Sequence, residues 1–126
     1  MAINPKTGGV HHVNLRCSNL ETSKAFYQNV LGFPVPLETP ELFAFPIGSV
    51  FIVFKKADEG TSFNPMTIGM DHLAMACDNE EELHRVADGL TDAGIENTGV
   101  KLDPTLQKMY VAFKDPDRIQ WEFYMV

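Results

Sequence analysis

His12 and His72 occupy matching places in two stretches of the chain sixty residues apart. The first runs Gly9-Val10-His11-His12-Val13-Asn14-Leu15-Arg16-Cys17-Ser18-Asn19, the second Gly69-Met70-Asp71-His72-Leu73-Ala74-Met75-Ala76-Cys77-Asp78-Asn79. Glycine, histidine, cysteine and asparagine recur in register. Near the end of the chain Glu122 adds a carboxylate. Imidazole nitrogens and a carboxylate oxygen are donors for a divalent metal, and two histidines with one carboxylate leave positions open for substrate, oxygen or water. Such an ion can polarise a carbonyl or enolate.

Whether the three donors can meet depends on the elements that carry them. Residues 10–17 alternate, with Val13, Leu15 and Cys17 on one face and His12, Asn14 and Arg16 on the other. Strand 69–77 repeats this with His72, Ala74 and Ala76. In a closing strand over 118–125, Trp121, Phe123 and Met125 form the apolar face, which leaves Gln120, Glu122 and Tyr124 on the side of the histidines. Taken singly, each histidine is as compatible with a core role kept by duplication. With Glu122 on the same face, an unpaired buried carboxylate would be costly, and metal ligation accounts for all three residues. Alternation turns His11 and Asp71 to the opposite face as non-ligands. His84, four residues after Glu80 on a helix flank, reads as solvated, and Cys17 and Cys77 as small buried hydrophobes.

Helices are expected at 20–31, capped by Ser18-Asn19 and stopped by Gly32, and at 80–93, where Asn79 with Glu82 makes a capping box and Gly94 ends it. The first module adds an edge strand at 34–38, then strands 42–45 and 50–54 around a Pro46-Ile47-Gly48-Ser49 turn. The second adds strands near 98–102, at 108–114 and at 118–125. An offset of 70 aligns the two hairpins, matching Pro46 with Pro116 and Ile52 with Glu122. The chain thus reads as a tandem duplication of a β-α-β-β-β unit, an α+β fold, with module one at 9–56, a linker at 57–67 and module two at 68–126.

Composition bounds the function. At 126 residues and 44% hydrophobic, the chain is one globular domain with its own core. A net charge of -7 disfavours nucleic acid and anionic membranes as partners. No apolar run approaches the roughly 20 residues of a membrane span. The first nine residues carry no charged-then-apolar leader, and two apolar-face cysteines fit a reducing compartment, so a cytoplasmic location is expected.

The run His12-Val-x-Leu-x-Cys-x-Asn-Leu, with Ser23, Phe26-Tyr27 and Leu31-Gly32-Phe33, resembles the opening of the vicinal-oxygen-chelate superfamily of glyoxalases, bleomycin-resistance proteins and extradiol dioxygenases. Asp115-Pro116-Asp117 with Glu122 five residues beyond is similar to that superfamily's closing motif, apart from Arg118 and Ile119 where the motif carries glycine and asparagine. The resemblance implies paired modules curled around a divalent metal held by His12, His72 and Glu122. Ile52 replaces the fourth ligand of the glyoxalase branch, so a three-donor set remains, which favours Fe(II) or Mn(II), with Zn(II) or Ni(II) as alternatives.

The implied activity is that of a small extradiol-type dioxygenase acting on a mostly apolar or aromatic small molecule. A glyoxalase-like lyase or isomerase and a non-catalytic drug-binding protein are the alternatives. Alternation lines the cup with Asn14, Arg16, Leu42, Ala44, Val50, Ile52, Phe54, Ala74, Ala76, Tyr110, Ala112, Gln120 and Tyr124. Among these, Tyr110 and Tyr124 are candidate acid–base groups, and Arg16 is a candidate partner for a substrate carboxylate or phenolate. A homodimer is expected, and the linker is long enough for modules to be exchanged between chains.

Overall fold

Each half of the chain folds as strand, helix and three further strands in the computed structural model, which describes all 126 residues. Module one comprises β1 (His12–Cys17), α1 (Leu20–Ala25), a π-helical turn (Phe26–Val30), β2 (Leu37–Glu38), β3 (Leu42–Ile47) and β4 (Val50–Lys56). Module two comprises β5 (His72–Cys77), α2 (Glu80–Asp92), β6 (Lys101–Asp103), β7 (Lys108–Lys114) and β8 (Gln120–Met125). The sheets are ordered β1-β4-β3-β2 and β5-β8-β7-β6. In each, the first strand runs parallel to the last, and the hairpin strands are antiparallel. The duplication is therefore structural as well as sequential, and the fold is α+β. No helix is long and apolar enough to cross a membrane.

The caps act as their residue types dictate: Asn19 accepts from the Thr22 N–H at 3.0 Å and Asn79 from the Glu82 N–H at 2.8 Å. Only this half of the capping box forms, because the Glu82 carboxylate turns to Arg85. The helix expected over 20–31 is α-helical only to Ala25. The wider π turn lets the consecutive Phe26 and Tyr27 both face inward, at 6% and 0% exposure. The edge strand expected at 34–38 shortens to Leu37–Glu38, since Pro34 and Pro36 have no N–H for the ladder. The chain before β6 makes only a lone bridge, from Asn97 to Phe113.

Strand register corrects the internal alignment. Val53 pairs with Asn14 and Ala44, as Glu122 pairs with Ala74 and Ala112. The counterpart of Glu122 is therefore Val53, at an offset of 69, and Ile52 matches Trp121 instead. Likewise Phe45 matches Phe113, at an offset of 68. Between matched register positions of the hairpin, module two carries one residue more, which a single offset cannot follow. Gly48-Ser49 makes the turn between β3 and β4, whereas 115–119 connects β7 to β8 with Arg118 left-handed at φ 69. A side chain there is strained by about 1–2 kcal/mol. Arg118→Gly is expected to stabilise the fold by a net 0.5–1 kcal/mol or so, after about 0.4–1 kcal/mol for the greater freedom of glycine in the unfolded chain. Urea unfolding would show this as a higher midpoint at unchanged slope.

The core lies on the faces turned away from the histidines. One cluster gathers Cys17, Tyr27, Phe43, Phe45, Ile52 and Phe54 of module one with Met75, Leu90, Phe113, Ile119 and Trp121 of module two. Ile52 and Phe54, expected in the cup, belong to this core at 3% and 0% exposure. A buried clasp crosses it: the Trp121 indole N–H donates to the Tyr27 hydroxyl (2.8 Å), which donates to Asp115. Asp115 also accepts from the Asp117 and Ile119 N–H groups, each at 2.9 Å, and fixes the β7–β8 turn. The two modules are thus joined through their core faces. Their opposite faces stay open, with His12, Asn14 and Arg16 exposed on β1 and His72, Ala74 and Ala76 exposed on β5.

Candidate metal centre

Parallel pairing of β5 with β8 sets Glu122 beside Ala74 and Gln120 beside His72, so Glu122 lies diagonal to His72 on the open face. His72 Nε2 is 3.0 Å from Glu122 Oε2, and His72 Nδ1 is 2.8 Å from Asp71 Oδ1. A neutral imidazole carries one N–H, yet this ring faces a carboxylate at each nitrogen. With Nδ1–H donated to Asp71, the contact at Nε2 requires either a further proton or a cation between the two groups. Burial raises the Glu122 carboxyl above its ordinary pKa; His72 opposes that rise and the charges of Asp103 and Asp71 add to it. The chemistry of the pair therefore fits a divalent ion with Asp71 orienting the ring, the arrangement in which a ligating histidine passes its other N–H to a carboxylate.

Asp71 was expected to turn away from the site and instead holds the ring. Module one repeats the arrangement with a different partner, since His11 Nδ1 lies 2.9 Å from His12 Nδ1. His11 and Asp71 are thus the missed residues. Their signal was available in the sequence as a polar, hydrogen-bonding residue immediately before each histidine.

The structure brings His72 and Glu122 together and leaves His12 apart. Within one chain no group of three histidine, cysteine, aspartate or glutamate side chains converges as a metal site. Arg16 also stays on module one, donating to the Lys56 carbonyl at 3.1 Å. Tyr110 and Tyr124 do sit in the cup of module two, directly opposite one another and stacked at 6.0 Å. The Tyr124 hydroxyl donates to Asp103 Oδ2 at 2.7 Å. Desolvation, aided by Asp103, pushes its pKa up to about 12. Its proton is thereby held toward Asp103. His84 is exposed on α2, 4.0 Å from Glu80, as expected, and both cysteines are buried and unpaired.

A family model described as the glyoxalase/bleomycin resistance protein/dioxygenase superfamily matches residues 9–123. The chain belongs to this superfamily. Among curated relatives, the uncharacterised protein YwkD of Bacillus subtilis is 31% identical, with 91% of this chain and 94% of the relative covered. Glyoxylase I 4 of Arabidopsis thaliana is 28% identical, with 86% of this chain and 65% of the relative covered. Among solved structures, the glyoxalase family protein from Enterococcus faecalis superposes with a TM-score of 0.79 at 28% identity, covering 93% of this chain and 97% of that one. The paired modules are the superfamily's fold. In this chain Val53 stands where the repeat places Glu122, and Arg118 in the β7–β8 turn is left-handed.

Proposed function

We propose that this chain is a metal-dependent enzyme whose site is built between two copies. His72 and Glu122 come from module two of one chain, and His12 comes from module one of the other. The observation that carries this reading is the 3.0 Å His72–Glu122 pair in an open half-cup, alongside a second open half-cup presenting His12. Facing the two half-cups against each other covers exposed apolar groups such as Phe51, 42% exposed, and brings the third donor. A bound divalent metal would supply Lewis-acid polarisation of a substrate carbonyl or enolate. The chain's own residues do the rest. Asp71 presents the ring, Val53 and Ala74 exclude water, and Tyr124 stays protonated.

Reaction on a small carbonyl or enol substrate, of lyase or isomerase type, is the reading we favour, supported by relatives named as glyoxalases. The extradiol-type dioxygenase is the second reading. Val53 favours it, because a valine cannot ligate and two histidines with one carboxylate are the donor set of non-haem Fe(II), with Mn(II) close behind. Oxygen consumption with a catechol in the iron-loaded protein separates the two, since a lyase or isomerase consumes none.

Shared assembly has its own test. His12→Ala and Glu122→Ala chains are each expected to hold little metal. Mixed and re-equilibrated, they should regain about half of the wild-type sites in the dimers that contain one of each. Elemental analysis of the mixture reads the outcome. No recovery, or full metal content in His12→Ala alone, would place the site within one chain.

A further inference from the structure

Beside the half-cup of module two lies a cavity of about 410 Å³, between the β7–β8 hairpin and the segment that follows α2. Lys114, Arg118, Gln120, Asn97 and Thr98 provide its polar lining, and Glu96 is its one acid. We propose that this cavity binds an anionic group of the substrate, a carboxylate or phosphoryl group, whose metal-binding end lies at His72 and Glu122. The inference rests on the functional reading above and adds a substrate class to it, a small molecule with an oxyanion at one end. It also revises the expectation of a mostly apolar ligand.

Register places the cavity next to the pair. Gln120 is directly opposite His72, and Ala112, also in the cavity wall, is directly opposite Glu122. One strand spacing, about 5 Å, separates the cavity wall from each member of the pair. Lys114 is directly opposite Gln120, so it stands on the same face as Glu122. Neither Lys114 nor Arg118 forms an ion pair, as is true of all the Lys and Arg residues except Lys24 and Arg85. Two cations with free charges therefore line one cavity, against a single acid, in a protein of net charge -7. Arg118 is held there by a left-handed backbone that glycine would occupy without strain. Guanidinium and ammonium donors together match the oxygens of a carboxylate or phosphoryl group. The Thr98 hydroxyl is engaged within the wall, donating to the Gly99 carbonyl at 2.8 Å and accepting from the Ala112 N–H at 2.9 Å.

Metal-free protein, titrated at constant ionic strength with inorganic phosphate, with succinate and with neutral succinamide, tests the inference by backbone amide shifts. Phosphate or succinate is expected to move Thr98, Gly99, Lys114 and Arg118 saturably, and succinamide is not. The tighter of the two anions identifies the group as phosphoryl or carboxylate. Lys114→Gln and Arg118→Gly should each weaken binding about tenfold, the loss of one charge-assisted contact. Glu122→Gln, which removes a nearby negative charge, should bind at least as tightly as the wild type. Undiminished binding in both cation variants, shifts scattered over other lysines, or an equal loss in Glu122→Gln would overturn the inference. Because the protein is metal-free throughout, failure here is distinct from failure of the metal reading, which the mixed-chain experiment decides.

Discussion

Glu122→Gln is expected to strip the protein of its metal and, at the same time, to stabilise the metal-free fold at neutral pH. The first effect follows from exchanging an anionic donor for a neutral amide that binds divalent ions poorly. Losing one of three ligands should lower affinity by at least a hundredfold, a fall of the size seen even when groups supporting a ligand are removed. The second effect follows from burial. Glu122 is 8% exposed and its carboxyl is raised above the ordinary value, with desolvation as the main cause. A raised pKa means that the folded state prefers the protonated form. That contribution to stability is fully present below the unfolded-state pKa and is lost as pH rises through the folded one. As pH rises above the unfolded-state value the wild type loses that contribution, whereas the glutamine variant has no proton to lose. Thermal unfolding in the presence of chelator should therefore show the variant gaining on the wild type as pH rises from about 4 to 7. A variant that keeps full metal content would remove Glu122 from the site.

Tyr27→Phe is expected to be the most damaging single-atom change in the core, at about 2–4 kcal/mol. The hydroxyl is fully buried and serves both neighbours, accepting from Trp121 and donating to Asp115. Its removal leaves the indole N–H without an acceptor and takes one of three donors from a buried carboxylate, each loss costing about 1–3 kcal/mol. Against a total stability of roughly 5–15 kcal/mol this is a large share. Because the clasp spans the modules, the loss should appear as one cooperative shift of the urea midpoint. Two separate transitions would mean that the modules unfold independently. A cycle with Trp121→Phe measures the coupling, which is expected to be favourable.

The repeat was the most legible feature of the chain, because alternation and caps are local and both modules obey them. His12, His72 and Glu122 were assigned to one kind of face from period-2 alternation alone, and their strands follow that assignment. Ile52 is misplaced by an offset of 70 because that offset rests on matching Pro46 with Pro116, whereas Pro46 lies within β3 and Pro116 in the connection between β7 and β8. Only the pairing of Val53 with Asn14 settles the register. Asp71 was missed for a related reason. Alternation describes residues inside a strand, and Asp71 precedes β5, where its side chain is free to turn back onto His72. Whether the two half-cups face each other in one chain lay beyond local pattern, since it depends on which faces the core cluster joins.

That the core joins the modules through one pair of faces leaves the other pair in solvent on each chain. On the shared-site reading, ligand binding and self-association become a single linked equilibrium. Metal or substrate held between two half-cups draws the chains together, and by reciprocity whatever draws the chains together tightens the grip on metal and substrate. A chelator would then act on this protein as a dissociating agent, and dilution as an inhibitor.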